Sequence, residues 1–410
     1  MIPRSPDPAM YPVPDLSYDF LGLRFENPFI LAASPSTDNA EMVARAFTAG
    51  WAGAILKTTS VEGTGVDLAY PMMTSLNADG MRLVGMGNID LISDHHIDRV
   101  ERSVKLLKKK FPSKIVAASI MAGRKEDWQR LVERLEKAGA DFIECSFSCP
   151  QGNIGEDPGK MLAQSAAATQ TTARWVKEAA RRIPVAIKIT PHVTDIVEIA
   201  RAVKRSGADA ITASNSIQAL MGVDIRTFIP YPHLGSRSTY SGLTGPAIKP
   251  ITLRTIAEIA RNVDLPILGT GGASSWSDAA EFMAVGAGVV QYCTAVMHRG
   301  FRIIDDLTSG MAHYLGEMGF TSVADIRGKA LPHIVTHDEL PRLTVRSHIR
   351  EESCIKCENC YIACLDGGHM AIERRENRIP KVDWNRCVGC GLCEHVCPVD
   401  GCIEMNVVTQ

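Results

Sequence analysis

Eight of the chain's twelve cysteines fall within residues 354–397 and repeat one spacing. The first run is Cys354-x2-Cys357-x2-Cys360-x3-Cys364; the second is Cys387-x2-Cys390-x2-Cys393-x3-Cys397, followed by Pro398. Thiolates spaced this way on a short loop cap three corners of an iron–sulfur cubane, and the fourth cysteine of each run ligates the other cluster. The spacing therefore assigns Cys354, Cys357, Cys360 and Cys397 to one 4Fe–4S cluster, and Cys387, Cys390, Cys393 and Cys364 to a second. Structural zinc is the competing chemistry for Cys-x2-Cys pairs, and the doubled run fits it poorly. Cys145, Cys149, Cys293 and Cys402 stand outside the pattern. A lone cysteine is usually a small buried hydrophobe, which is how Cys293 and Cys402 read.

The preceding 300 residues must supply what the clusters serve. Short apolar runs alternate there with helical-period segments, the rhythm of a parallel sheet with crossover helices. Eight candidate strands emerge at 29–35, 52–59, 114–121, 141–148, 184–190, 209–215, 266–272 and 289–295. Eight strands over this length predict a (β/α)8 barrel, whose active sites form at the C-terminal strand ends. Ser34, Lys57, Ser146, Lys188, Asn215, Gly271 and Gly272 fall at those ends. A lysine ending a buried strand must meet an anion or an electron-rich ring, so Lys57 and Lys188 point to a cofactor. The "GTGG" at 269–272 and "CTA" at 293–295 lie where barrels place a phosphate.

"GTGGAS" is not G-x-G-x-x-G, so the chain shows no nicotinamide dinucleotide motif of its own. A cubane carries single electrons; coupling it to organic chemistry needs a group that also moves pairs. Flavin does both, and FMN matches the single phosphate site.

Composition excludes several classes. At 410 residues, 45% hydrophobic and net charge −2, the chain reads as an ordinary globular protein. Nothing in that balance favours nucleic acid or an anionic membrane, and no apolar run approaches the ~20 residues that span a bilayer. Residues 1–19 are Pro-rich and lack an apolar signal core, so an extended arm and a cytoplasmic location, with reduced thiols, are expected. The expected domains are the arm, a barrel over 20–320, an ordered connector over 321–349 and a ferredoxin-like domain over 350–410.

"NPFILAASP", "AILKTTS", "FSCPQGN", "KITPHVTDI", "YSGLTGPAIKP" and "GTGGASSWSDAAEFMAVGA", with the terminal cysteines, carry a resemblance. The chain resembles catalytic subunits of bacterial NAD-dependent dihydropyrimidine dehydrogenase, a branch of the dihydroorotate dehydrogenase-like flavoproteins. The resemblance implies FMN held by Ala33, Ser34, Lys57, Thr58, Lys188, Asn215, Ser216, Gly245, Gly271, Gly272, Cys293 and Thr294. It also implies a separate FAD- and NAD(P)H-binding iron–sulfur subunit and a homodimer within a heterotetramer. The implied reaction is reduction of the C5=C6 bond of uracil or thymine, by hydride from flavin N5 and a proton from a loop acid.

Several positions depart from the family pattern. The loop acid, typically Cys or Ser, is replaced by Leu162. Ser165 is the nearest hydroxyl, and Glu156 and Asp157 are acids of the same loop; a solvated loop tip is their plain alternative. Ser146 and His192 stand where asparagines are usual, and the asparagine expected after strand two has no match in "VDLAYPMM". Ser146, His192, Asn215 and Ser216 are the substrate-binding candidates. Two other readings stay open: a different conjugated C=C substrate, and a non-catalytic electron carrier.

Overall fold

The computed structural model describes residues 14–78, 81–148 and 161–408. The chain divides into two compact units, Met1–His333 and Ile334–Gln410. The expected connector is shared between them. Ala330 N–H donates to Ala284 O at 2.9 Å inside the first unit, whereas Val345–Ile349 pairs with Ile403–Val407 inside the second.

In the first unit eight parallel strands close into a barrel in chain order. They are β1 (Phe29–Leu31), β2 (Gly53–Thr59), β3 (Ile115–Ile120), β4 (Phe142–Ser146), β5 (Val185–Lys188), β6 (Ala210–Ala213), β7 (Ile267–Thr270) and β8 (Val289–Tyr292). Val290 pairs with Phe29 to close the ring. All seven residues of β2 are buried, because such strands face packed side chains within and helices without. One local device recurs. "GAD" precedes both β4 and β6; Asp141 Oδ2 accepts from Val116 N–H at 2.7 Å, and Asp209 Oδ2 from Val185 N–H at 2.8 Å. Each carboxylate thus satisfies an edge amide of the preceding strand that the ladder leaves free.

The connections after β2 and β6 carry an element the periodicity did not show. Met73–Ala78 and Met81–Asn88 join Ile217–Ala219 and Ser241–Thr244 in a four-stranded antiparallel sheet. Both connections leave C-terminal strand ends, so this sheet belongs to the mouth of the barrel.

The second unit is small. Two short antiparallel pairs, 345–349 with 403–407 and 372–373 with 381–382, frame helices Asn359–Gly367 and Leu392–His395. Its core is Ile349, Ala371, Ile372 and Ile403 together with cysteines.

Candidate active site and metal centres

Two adjoining cavities open at the C-terminal ends of the strands, one of about 220 Å³ and one of about 360 Å³. Ala33, Lys188, Asn215, Ser216 and Cys293 line both. Gly245, Gly271, Gly272 and Thr294 line the smaller; Ser34, Lys57, Thr58 and Ser146 line the larger. All twelve residues named for FMN therefore converge on this space, with Ser146 beside them.

The turn after β7 is built for close backbone approach. Gly271 and Gly272 have φ of +121° and +95°, and an added Cβ would lie 2.5 Å from Thr252 Oγ1 or 2.6 Å from Lys249 N. A side chain is excluded at both on conformation and on space. Asp278 fixes the turn from behind. Its Oδ2 accepts from the N–H groups of Ser274 and Ser275 at 2.8 and 2.9 Å, and Lys249 Nζ donates to Oδ1 at 2.7 Å. Burial pushes the Asp278 carboxyl up, but Lys249 and the serine donors outweigh it and hold it below the usual range.

The two strand-end lysines have protein anions. Lys57 Nζ lies 3.0 Å from Asp90 Oδ1, each side chain 9% exposed. Lys188 Nζ lies 3.5 Å from Glu144 Oε1, and Glu144 is fully buried. Part of the demand that burial places on these cations is thus met within the protein, by β4 and by the segment after 81–88, while both lysines still line the cavity. Burial outweighs Lys57 at Asp90 and raises its pKa. Glu144 Oε2 accepts from Thr212 Oγ1 at 2.9 Å and Gln291 Nε2 at 2.8 Å.

Polar atoms still await partners. Gln291 Oε1, on the smaller cavity, and Ser241 Oγ, on the larger, are buried without a hydrogen-bond partner among the described residues. Buried polar groups in native proteins are nearly always paired. A polar ligand such as FMN fits that demand, and the bare glycine turn fits its phosphate.

The other named residues divide. Asn215 Nδ2 donates to Ser148 Oγ at 2.7 Å, and its Oδ1 accepts from Ser216 N–H at 2.8 Å. His192 lines neither cavity. Its Nε2 accepts from Gln218 N–H at 2.6 Å, and Gln218 lines the larger cavity, so His192 stands one layer behind the wall. That bond leaves Nδ1 carrying the proton, and burial lowers its pKa. Ser165 also lies outside both linings: it caps helix Ala166–Ala179, its Oγ accepting from Ala168 N–H at 3.3 Å. Glu156, Asp157 and Cys149 lie outside the described residues.

Sequence reasoning missed Asn88 and Asp90 on the larger cavity. Asn88 Nδ2 donates to Gly242 O at 2.9 Å, and it supplies an amide that "VDLAYPMM" lacked. The signal was the polar Asn-x-Asp closing the alternating run "MRLVGMGN".

In the second unit, Cys354, Cys357, Cys360 and Cys397 line one small pocket. Cys364, Cys387, Cys390 and Cys393 line another. The fourth thiol of each run has crossed to the other run's pocket, which is the exchange a paired-cubane ligand set requires. Cys402, expected as a buried packing residue, lies in this unit's core and lines the first pocket as well.

A barrel with a two-lobed cavity at its strand ends, joined to a cysteine-lined metal-binding unit, defines an iron–sulfur oxidoreductase. The chain belongs to the dihydroorotate dehydrogenase family, whose model matches residues 15–315, and a 4Fe-4S dicluster domain matches residues 347–405. It is 39% identical to the NAD-dependent dihydropyrimidine dehydrogenase subunit PreA of Escherichia coli, over 96% of each chain. The chloroplastic dihydropyrimidine dehydrogenase (NADP(+)) of Arabidopsis thaliana is 34% identical over 80% of this chain and 79% of its own. The catalytic subunit of dihydroorotate dehydrogenase B (NAD(+)) from Pyrococcus horikoshii is 34% identical over 77% of this chain and 98% of its own. The chain is accordingly an oxidoreductase of the dihydropyrimidine dehydrogenase type, acting on CH–CH bonds. Among the described residues no helix is long and apolar enough to cross a membrane.

Proposed function

We propose that the chain is the catalytic subunit of a reductase acting on the C5=C6 bond of uracil or thymine, with FMN in the barrel and two 4Fe–4S clusters in the second unit. The observation that carries this reading is the convergence of twelve residues from six strand ends and their loops on one two-lobed cavity. Gly245, Gly271, Gly272 and Thr294 would hold the phosphate, while Lys57, Lys188 and Cys293 would face the ring. FMN supplies hydride transfer when bound, and the clusters supply single electrons.

The chain's own residues do the rest. Asn215 is fixed at both ends of its amide by Ser148 and Ser216, so it presents donor and acceptor in a set orientation to a pyrimidine edge. Asn88 and Ser146 complete that wall, because a polar edge is read by matched donors and acceptors. Lys188, anchored by Glu144, holds positive charge where a reduced ring is anionic. Proton delivery is assigned to Glu156 or Asp157, since Leu162 has no proton to give and Ser165 lines neither cavity. Electrons arrive from a separate FAD- and NAD(P)H-binding iron–sulfur subunit; the bacterial relative is itself one subunit of an NAD-dependent enzyme. A homodimer within a heterotetramer belongs to the same proposal.

Leu162 favours a second reading, in which the same cavity reduces another C=C bond conjugated to a carbonyl. One experiment separates the two. The chain is purified anaerobically, reduced, and followed by flavin absorbance on adding uracil or thymine. Fast reoxidation with dihydropyrimidine formed is the expected result. A reducible flavin that neither pyrimidine reoxidises would reject pyrimidines and leave the second reading.

A further inference from the structure

Cys402 belongs to neither four-cysteine run, yet the fold puts it among the ligands of one of them. It is 2% exposed, lines the pocket of Cys354, Cys357, Cys360 and Cys397, and packs in one core cluster with Cys354, Cys360 and Cys397. Backbone bonds fix it from both sides: Cys402 N–H donates to Val399 O at 3.2 Å, and Cys402 O accepts from Arg350 N–H at 2.8 Å. It immediately precedes strand Ile403–Val407, so the ladder with Val345–Ile349 sets its position. No fifth thiol lines the pocket of Cys364, Cys387, Cys390 and Cys393 among the described residues.

A cubane takes four thiolates, one for each iron. A fifth sulfur beside a complete set has no iron to bind, and its S–H is left as a hydrogen-bond donor. Two kinds of acceptor are near: the neutral carbonyl of Arg350, 3.7 Å from Sγ, and the pocket's ligand sulfurs, which iron would hold as thiolates. Charged acceptors make the stronger bond. We propose that Cys402 donates its S–H to the ligand sulfur of Cys354 or Cys397 and thereby raises the reduction potential of that cluster. Hydrogen bonds to cluster sulfurs offset negative charge, and they stabilise the reduced form more because it carries one charge more. The inference concerns the cluster and not the substrate, so it stands or falls apart from the pyrimidine reading.

The test uses the full chain, purified anaerobically and loaded to about eight irons, four for each cubane. Midpoint potentials of both clusters are measured by redox titration with electron paramagnetic resonance, for wild type, Cys402→Ala and Cys402→Ser. Expected is a lowered potential for one cluster in Cys402→Ala, no change in the other, and recovery in Cys402→Ser, whose hydroxyl still donates. Iron content stays at the wild-type level in both. An unshifted potential in iron-replete Cys402→Ala overturns the proposal. So does loss of iron in both variants, which would make Cys402 a ligand or a packing element, and so does an equal shift of both clusters.

Discussion

The barrel mouth and the second unit hold their chemical groups in opposite ways. In the barrel the cavity residues stand on a frame that does not need them: a core running from Tyr18 to Ile326 and containing fully buried Trp51, Trp128, Phe142 and Phe282. In the second unit the groups are the frame. Four apolar residues, Ile349, Ala371, Ile372 and Ile403, share its core with Cys360, Cys364, Cys393 and Cys402. A domain this small seldom stands on apolar burial alone and needs staples. The difference teaches where each unit keeps its stability: in hydrocarbon for the first, in metal–thiolate bonds for the second.

The largest effect expected from that contrast is on metal removal. Destroying the clusters with an oxidant and chelator should unfold residues 334–410 while leaving 1–333 folded, because ligand binding energy is folding energy in such units. Limited proteolysis should then digest the C-terminal unit and spare a barrel fragment. Stripping FMN should leave both units resistant. A second unit that stays resistant without iron would break the comparison.

At Glu144 the barrel ties chemistry to frame, and this sharpens the contrast. Glu144 is fully buried and holds Lys188, Thr212 and Gln291. Glu144→Ala leaves a buried cation without its anion, a change that costs about 3–5 kcal/mol. The urea midpoint should fall accordingly, and FMN affinity should fall with it as Lys188 loses its anchor. Were the midpoint unchanged, Lys188 would be held by something other than this pair.

A smaller effect lies behind the glycine turn. Asp278→Asn removes the charge that Ser274, Ser275 and Lys249 share, and hydrogen bonds to charged groups are worth about 1.5–3 kcal/mol each. The sign with pH follows from the lowered carboxyl pKa. The native state binds the Asp278 proton less readily than the unfolded chain, so its stabilisation is full above the ordinary carboxylate range and is lost as pH falls through the lower folded value. The stability gap between wild type and Asp278→Asn should therefore be widest near neutrality and should close in acid. A gap constant from pH 7 to below 3 would place the cost in geometry rather than charge.

These tests bear on residues that differ in how openly the sequence displays them. All eight barrel strands were legible, since strands buried on both faces are continuous apolar runs; the expected 52–59 corresponds to Gly53–Thr59. The sheet at the mouth was not legible. Ile217–Ala219 has three residues, none of them buried, and its partner strand lies some twenty residues on, so no local period marks it. The cysteine spacing was legible because ligands on one short loop must be close in sequence. Cys402 was not, because an antiparallel ladder brings it to its pocket. The lysine anions failed for a similar reason: desolvation says that Lys57 and Lys188 need a partner, and only the fold says that Asp90 and Glu144 stand 3.0 and 3.5 Å away.

Ser165 gives the smallest expected effect and decides between two roles for one hydroxyl. As a helix cap it satisfies one of the four free N–H groups at the start of Ala166–Ala179. Its loss in Ser165→Ala should cost about 0.5–2 kcal/mol of stability, and Ser165→Asp, which caps equally well, should restore it. Turnover with the substrate found by flavin reoxidation should stay at wild-type level in both variants. A general acid contributes about 10²- to 10⁴-fold to rate, so the alternative role would show as a loss of that size in Ser165→Ala at unchanged FMN content. Stability and rate thus move independently under the two roles. A stable but slow Ser165→Ala would bring this hydroxyl to the substrate and would mean that the loop around Leu162 rearranges to deliver it.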